Sequence, residues 1–118
     1  MSYISDVAIA IKNDVYDQLT VRTKLFIQEY FTEEDHIKEG DDAGRLFHCY
    51  DIKWYISSDN EIYRLYQELD DIDQCGEEFL IVEACHDCPE SDEGSAGDWY
   101  DNPWGVYKDI SVSISWSK

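Results

Sequence analysis

Between Arg64 and Lys108 the chain has no lysine or arginine but thirteen carboxylates: Glu68, Asp70, Asp71, Asp73, Glu77, Glu78, Glu83, Asp87, Glu90, Asp92, Glu93, Asp98 and Asp101. An unpaired carboxylate is costly to bury, so a fold has to keep such a run at the surface. Only short apolar segments between the charges are left to build the core. Over the whole sequence, 27 acidic residues stand against 9 basic ones, a formal net charge of −18, yet 14% of residues are aromatic. Disordered acidic tails are poor in aromatics, so this pattern predicts a folded domain with a large negative field.

A length of 118 residues predicts one domain spanning 1–118. The longest apolar stretches, residues 7–11 and 79–82, fall far short of the roughly 20 needed to cross a bilayer. Met1-Ser2-Tyr3-Ile4-Ser5-Asp6 lacks the basic start and apolar run of a secretory signal. A cytoplasmic location is therefore expected, with Cys49, Cys75, Cys85 and Cys88 as reduced thiols. Carboxylates repel phosphates, which argues against direct binding to nucleic acid or to an anionic membrane.

Val7-Ala8-Ile9-Ala10-Ile11 reads as a strand, with Asn13 or Asp14 able to cap a following helix. Over 15–31, Val15, Leu19, Phe26 and Tyr30 fit an apolar helical stripe that β-branched residues at 20–23 could divide. The polar stretch 32–44 reads as an exposed loop or wide hairpin connection. Alternation over 45–55 predicts a strand with Leu46, His48, Tyr50, Ile52 and Trp54 on one face and Phe47, Cys49, Asp51, Lys53 and Tyr55 on the other. Ser58 and Glu61 have the spacing of a capping box, and Ile62, Leu65, Tyr66, Leu69 and Ile72 recur on one helical face. Residues 77–84 form a further strand, 85–103 a long irregular loop, and 106–116 a last strand with a serine-rich face. The expectation is an α+β fold of order β-α-β-α-β-β, one sheet of about four strands with two helices on one face.

The charges suggest a contact surface. Glu68, Asp70, Asp71, Asp73, Glu77 and Glu78 would be joined by Asp87, Glu90, Asp92, Glu93, Asp98 and Asp101 on one face with little internal neutralisation. A second acidic group, Glu33, Glu34, Asp35, Glu39, Asp41 and Asp42, lies in the earlier loop. Trp99, Tyr100 and Trp104, set within the acidic loop, read either as interface anchors or as groups that fold back over the core. One reading of the acidity is solubility alone. Another is that rigidly held carboxylates imitate a line of phosphates and block the basic site of a nucleic-acid-processing protein. A third is an immunity protein or antitoxin covering a toxin.

The opening Tyr3-Ile4-Ser5-Asp6-Val7-Ala8-Ile9-Ala10-Ile11, the aromatic strand Asp51-Ile52-Lys53-Trp54-Tyr55 and the acidic helix after it resemble small bacteriophage proteins of unassigned role. In charge and size the chain is similar to phage-encoded DNA-mimic inhibitors of host defence, including restriction inhibitors and some anti-CRISPR proteins. The resemblance implies an antagonist of a basic host nucleic-acid-binding enzyme or defence complex. Those inhibitors share no motif, so it implies no residue roles.

Cys85-His86-Asp87-Cys88 has the spacing of a metal knuckle, with Cys75, Cys49 and His48 as further candidate ligands. Tetrahedral zinc commonly takes two close pairs, and only one is present. A zinc-stabilised interaction module using Cys49, Cys75, Cys85 and Cys88 stands beside the simpler reading of reduced thiols and no cofactor. No nucleophile elbow, phosphate-binding glycine loop or dinucleotide fingerprint occurs, and His36, His48 and His86 have no recognisable partner motif. The chain is not expected to be an enzyme.

Overall fold

The computed structural model describes residues 4–54, 60–86, 95–109 and 113–115. The apolar run 7–11 lies at the middle of β1 (Ile4–Lys12), the central strand of an antiparallel sheet. β3 (Gly44–Lys53) pairs on one side of it and β4 (Phe79–Cys85) on the other. β2 (Thr32–Ile37) and the two-residue β5 (Ala96–Gly97) form the edges, giving the order β2-β3-β1-β4-β5. The helices are α1 (Asn13–Gln18), α2 (Val21–Tyr30) and α3 (Glu61–Ile72). A separate ladder joins β6 (Tyr107–Asp109) to β7 (Ser113–Ser115). The fold is α+β, as expected.

Alternation along β1 divides the core in two. Val7, Ile9 and Ile11 meet Phe47, Phe79 and Ile81 beneath Val15, Leu19, Phe26 and Ile27 of the first helical segment and Ile62, Leu65 and Leu69 of α3. Ala8 and Ala10 face the other way, where Leu46, Leu80 and Val82 meet Trp99, Trp104 and Val106. The sheet is therefore covered on both faces, by helices on one and by the C-terminal segment on the other. Small side chains at the centre of the second face leave room for two indoles. Gly44 contributes to the same space, since a Cβ there would lie 3.0 Å from the Trp99 ring and 2.6 Å from the Ile11 carbonyl oxygen.

Several local expectations are revised. Residues 32–37 are a strand rather than loop; their charged sequence suits an edge, where solvent solvates the side chains and charge discourages further pairing. The helical stretch divides at Leu19 and Thr20, into the two helices that its β-branched residues allowed, and only the stripe changes: Thr23 and Ile27 turn inward while Tyr30 is exposed. Asn60 caps α3 by accepting from the Tyr63 N–H at 2.9 Å, so the cap falls two residues after Ser58, which lies outside the described residues. Residues 96–97 pair with β4, and the final segment makes its own two-stranded ladder instead of one strand of the main sheet.

The alternation predicted for 45–55 fails beyond Cys49. Ser5 pairs with Ile52 and Val7 with Cys49, leaving Tyr50 and Asp51 opposite the single residue Asp6. Asp51 is left-handed, with φ 57°, and its N–H donates to Asp6 Oδ1 at 3.1 Å. This β-bulge reverses the facing of the strand. Ile52 and Trp54 consequently join the helix-side core with Phe47 and Cys49, while Tyr50 is exposed.

Candidate acidic site

α3 presents two unlike faces. Ile62, Leu65 and Leu69 are buried against the sheet, whereas Asp70 and Asp71 are exposed near the helix end. Asp73 follows as the C-cap, and its carboxylate accepts from the Glu78 N–H at 2.9 Å, closing a turn that also exposes Glu77 and Glu78. Gly76 supplies the positive φ of 69° within that turn, and its carbonyl accepts from the Asp98 N–H. The chain after β5 is thereby tied to the end of α3. A groove of about 420 Å³ results, lined by Asp70 and Asp73 on one side, Asp98 on the other, and Cys75 and Phe79. Two neighbouring carboxylates, Asp70 and Asp73, thus share one concavity with Asp98 from a later part of the chain.

The arginines pair elsewhere, whereas Lys12 lies beside the acidic turn, its backbone N–H donating to the Glu78 carbonyl at 3.0 Å and its ammonium 5.7 Å from the ring of Trp99. Arg22 pairs with Glu61 at 2.6 Å, Arg64 approaches the same carboxylate at 3.9 Å, and Arg45 pairs with Glu33 at 2.8 Å. Among the described residues, no basic side chain forms an ion pair with Asp70, Asp71, Asp73, Glu77, Glu78, Asp98 or Asp101. Asp87, Glu90, Asp92 and Glu93, also expected on this face, lie outside the described residues.

Other expected contact residues are committed to the fold. Glu68 accepts from the Thr20 N–H at 2.7 Å, from the Thr20 hydroxyl at 3.0 Å and from the Thr23 hydroxyl, bracing the first turn of α2 from α3. It is a tertiary helix cap and not a free charge. Replacing Glu68 with alanine should therefore cost about 1–2 kcal/mol of stability, the scale of a lost N-cap; chemical denaturation checks this. Glu83, although part of the acidic run, is only 5% exposed and accepts from the Ser5 hydroxyl at 2.7 Å.

Trp99 and Trp104 do not serve as exposed anchors. Both are buried in the second core, their rings edge to face at 6.0 Å. Buried Asn102 organises their turn: its amide donates to the Trp99 carbonyl, and its oxygen accepts from the Trp104 and Val106 N–H groups. Tyr100 points outward, 73% exposed, beside exposed Asp101. The paired tryptophans hold Tyr100, Asp101 and Asp98 in place without facing a partner themselves.

The cysteines are not gathered as a four-sulfur site requires. Cys49 is half-buried on β3, Cys75 is exposed beyond α3, and Cys85 is buried at the end of β4. Cys75 precedes β4 and Cys85 ends it, about 20 Å apart by strand rise over the intervening strand. Cys88 lies outside the described residues. Among the described residues, the only group arranged to hold a metal ion is Asp6, Asp51 and His86. Burial, reinforced by Asp6 and Asp51, pushes the Cys49 thiol above its ordinary pKa, which leaves it a poor nucleophile. Burial likewise pushes Tyr66 upward against the Trp54 N–H that it accepts, with Glu83 adding to the rise.

His48 is buried on β3, and burial lowers its pKa although Asp6 and Glu34 act in the opposite direction. A folded-state pKa below the unfolded value means that the unfolded chain binds more protons, so this group destabilises the fold as pH falls below about 6.5. Above that pH its contribution is level. His48→Gln should flatten the fall in stability between about pH 6.5 and 5, read from denaturation curves of parent and variant side by side.

Fold and site define a small α+β protein with an acidic groove whose carboxylates form no ion pair among the described residues. Comparison of the chain with protein-family models, curated proteins and solved structures gives no match.

Proposed function

We propose that this chain is an acidic binding protein that occupies the basic site of a nucleic-acid-processing or defence protein of a bacterial host, its carboxylates standing where that partner takes phosphates. In this reading it is not an enzyme, touches no nucleic acid or membrane itself, and acts in the host cytoplasm. The observation that carries it is the convergence of Asp70, Asp73 and Asp98 on one groove, flanked by exposed Asp71, Glu77 and Glu78, with no ion pair to any of them among the described residues. Solubility alone requires net charge but no such grouping. Like charges held together raise the energy of the folded state, and a basic partner relieves that repulsion on binding. DNA presents one charge per roughly 1.7 Å of axis, so a competitor needs several carboxylates on a rigid frame.

The test is capture from bacterial lysate with the purified chain as bait at low and high salt, followed by competition. The expected result is a nucleic-acid-binding protein retained at low salt, released at high salt, and displaced by duplex DNA. Capture that is insensitive to salt and DNA, or no capture at all, overturns the reading.

A further inference from the structure

The Cys85-His86-Asp87-Cys88 segment has a metal-knuckle spacing, but the structure directs its histidine to different partners. Cys85 pairs with Ser5 and turns into the core at the end of β4, while His86, the next residue, emerges on the opposite side. Its N–H donates to the Ile4 carbonyl at 2.9 Å, which fixes the backbone where the imidazole begins. The ring lies between two carboxylates, with Nε2 3.1 Å from Asp6 Oδ1 and Nδ1 3.8 Å from Asp51 Oδ1. One ligand atom from each of the three residues lies within 4.8 Å of the others.

We propose that Asp6, Asp51 and His86 bind one divalent first-row transition ion of the zinc type. Three strands supply the ligands: Asp6 sits on β1 opposite the bulge, Asp51 is the bulged residue of β3, and His86 directly follows β4. One imidazole with two carboxylates is a donor set that suits zinc and its neighbours, and three protein ligands leave a position for water. Asp51 is 76% exposed at its side chain, so it can rotate onto an ion without moving the backbone. An ion would neutralise two carboxylates that otherwise share a single histidine, and would tie the ends of three strands together. The remaining imidazole nitrogen would be free to donate a hydrogen bond, as metal-bound histidines commonly do.

This site is independent of the acidic groove. Ser5 pairs with Cys85 at one end of the sheet and Ile11 with Phe79 at the other, and the groove borders Phe79. Failure of either proposal leaves the other standing.

The experiment is calorimetric titration of zinc chloride into the metal-free full chain, with thermal unfolding followed in parallel. One ion per chain is expected, together with a rise in Tm. His86→Ala, Asp6→Asn and Asp51→Asn should each weaken binding at least tenfold. Asp51→Asn is decisive, because asparagine tolerates the left-handed backbone and the exposed side chain is not needed for folding. The double variant Cys85→Ser/Cys88→Ser and the groove variant Asp70→Asn/Asp73→Asn/Asp98→Asn should keep the parent affinity. Absence of a saturable one-to-one event overturns the proposal. So does binding that survives Asp51→Asn and His86→Ala, or binding that the cysteine or groove variant abolishes.

Discussion

Trp104→Ala should lower the unfolding free energy by about 3–5 kcal/mol, the range for removing a large aromatic from a packed core. Domains of this size have roughly 5–15 kcal/mol in total, so the variant should lie near the edge of folding at 37 °C. The indole is 1% exposed, packed among Leu46, Leu80, Val82 and Trp99, and its Nε1 donates to Asp35 Oδ2 on β2 at 2.8 Å. That hydrogen bond ties the C-terminal segment to the opposite edge of the sheet, across β3 and β1 from β4. Trp104→Phe keeps much of the ring volume but loses the donor, and should cost less, because volume is the larger part of the loss. Urea denaturation of the two variants separates the contributions. A cost below about 1 kcal/mol for Trp104→Ala would mean that the segment over the second face adds little to the fold.

The position of that tryptophan shows where sequence reasoning stops. The central strand, the amphipathic α3 and the apolar β4 are legible because each carries its own period or apolar run. The concentration of charge is equally legible, since it depends on composition and chain order alone. Burial of Trp99 and Trp104 instead depends on what faces them: two alanines on β1 and a glycine on β3 leave the space, and no local pattern around 99–104 reports it. β2 escapes for a related reason. An edge strand that is itself rich in charged residues reads as loop until its partner, β3, is known. The bulge at Asp51 arises from the pairing with Asp6 and so has no signature in either strand taken singly. The same is true of the approach of His86 to Asp6, residues eighty apart in the chain. The acidic groove is a mixed case: Asp70 and Asp73 were legible as neighbours, whereas Asp98 reaches them through the Gly76 carbonyl and a two-residue strand.

Converting Asp70, Asp71, Asp73, Glu77 and Glu78 together to their amides should weaken binding to the basic partner roughly 100-fold while leaving the fold intact or more stable. Exposed ion pairs contribute about 0.2–1 kcal/mol each, so five of them amount to roughly 3 kcal/mol, and 1.4 kcal/mol is a factor of ten. The loss should fall mainly on the association rate, because long-range attraction steers the encounter, and it should shrink as salt screens the field. Stability should move the other way. Asp70, Asp71, Glu77 and Glu78 are exposed, and Asp73 as asparagine still offers an oxygen to the Glu78 N–H, so the turn keeps its hydrogen bond while five like charges disappear. A thermal melt at low salt reads that gain, and the gain should fade at high salt where the repulsion is already screened. Glu68 is left out deliberately: its carboxylate caps α2, so replacing it would mix a folding defect with a binding defect. If the five-fold variant binds the captured partner as tightly as the parent does at low salt, the contact does not lie on α3 and its following turn. If instead its affinity falls but the salt dependence is unchanged, these carboxylates act by shape or hydrogen bonding, and the phosphate-mimic reading fails even though the contact surface is right.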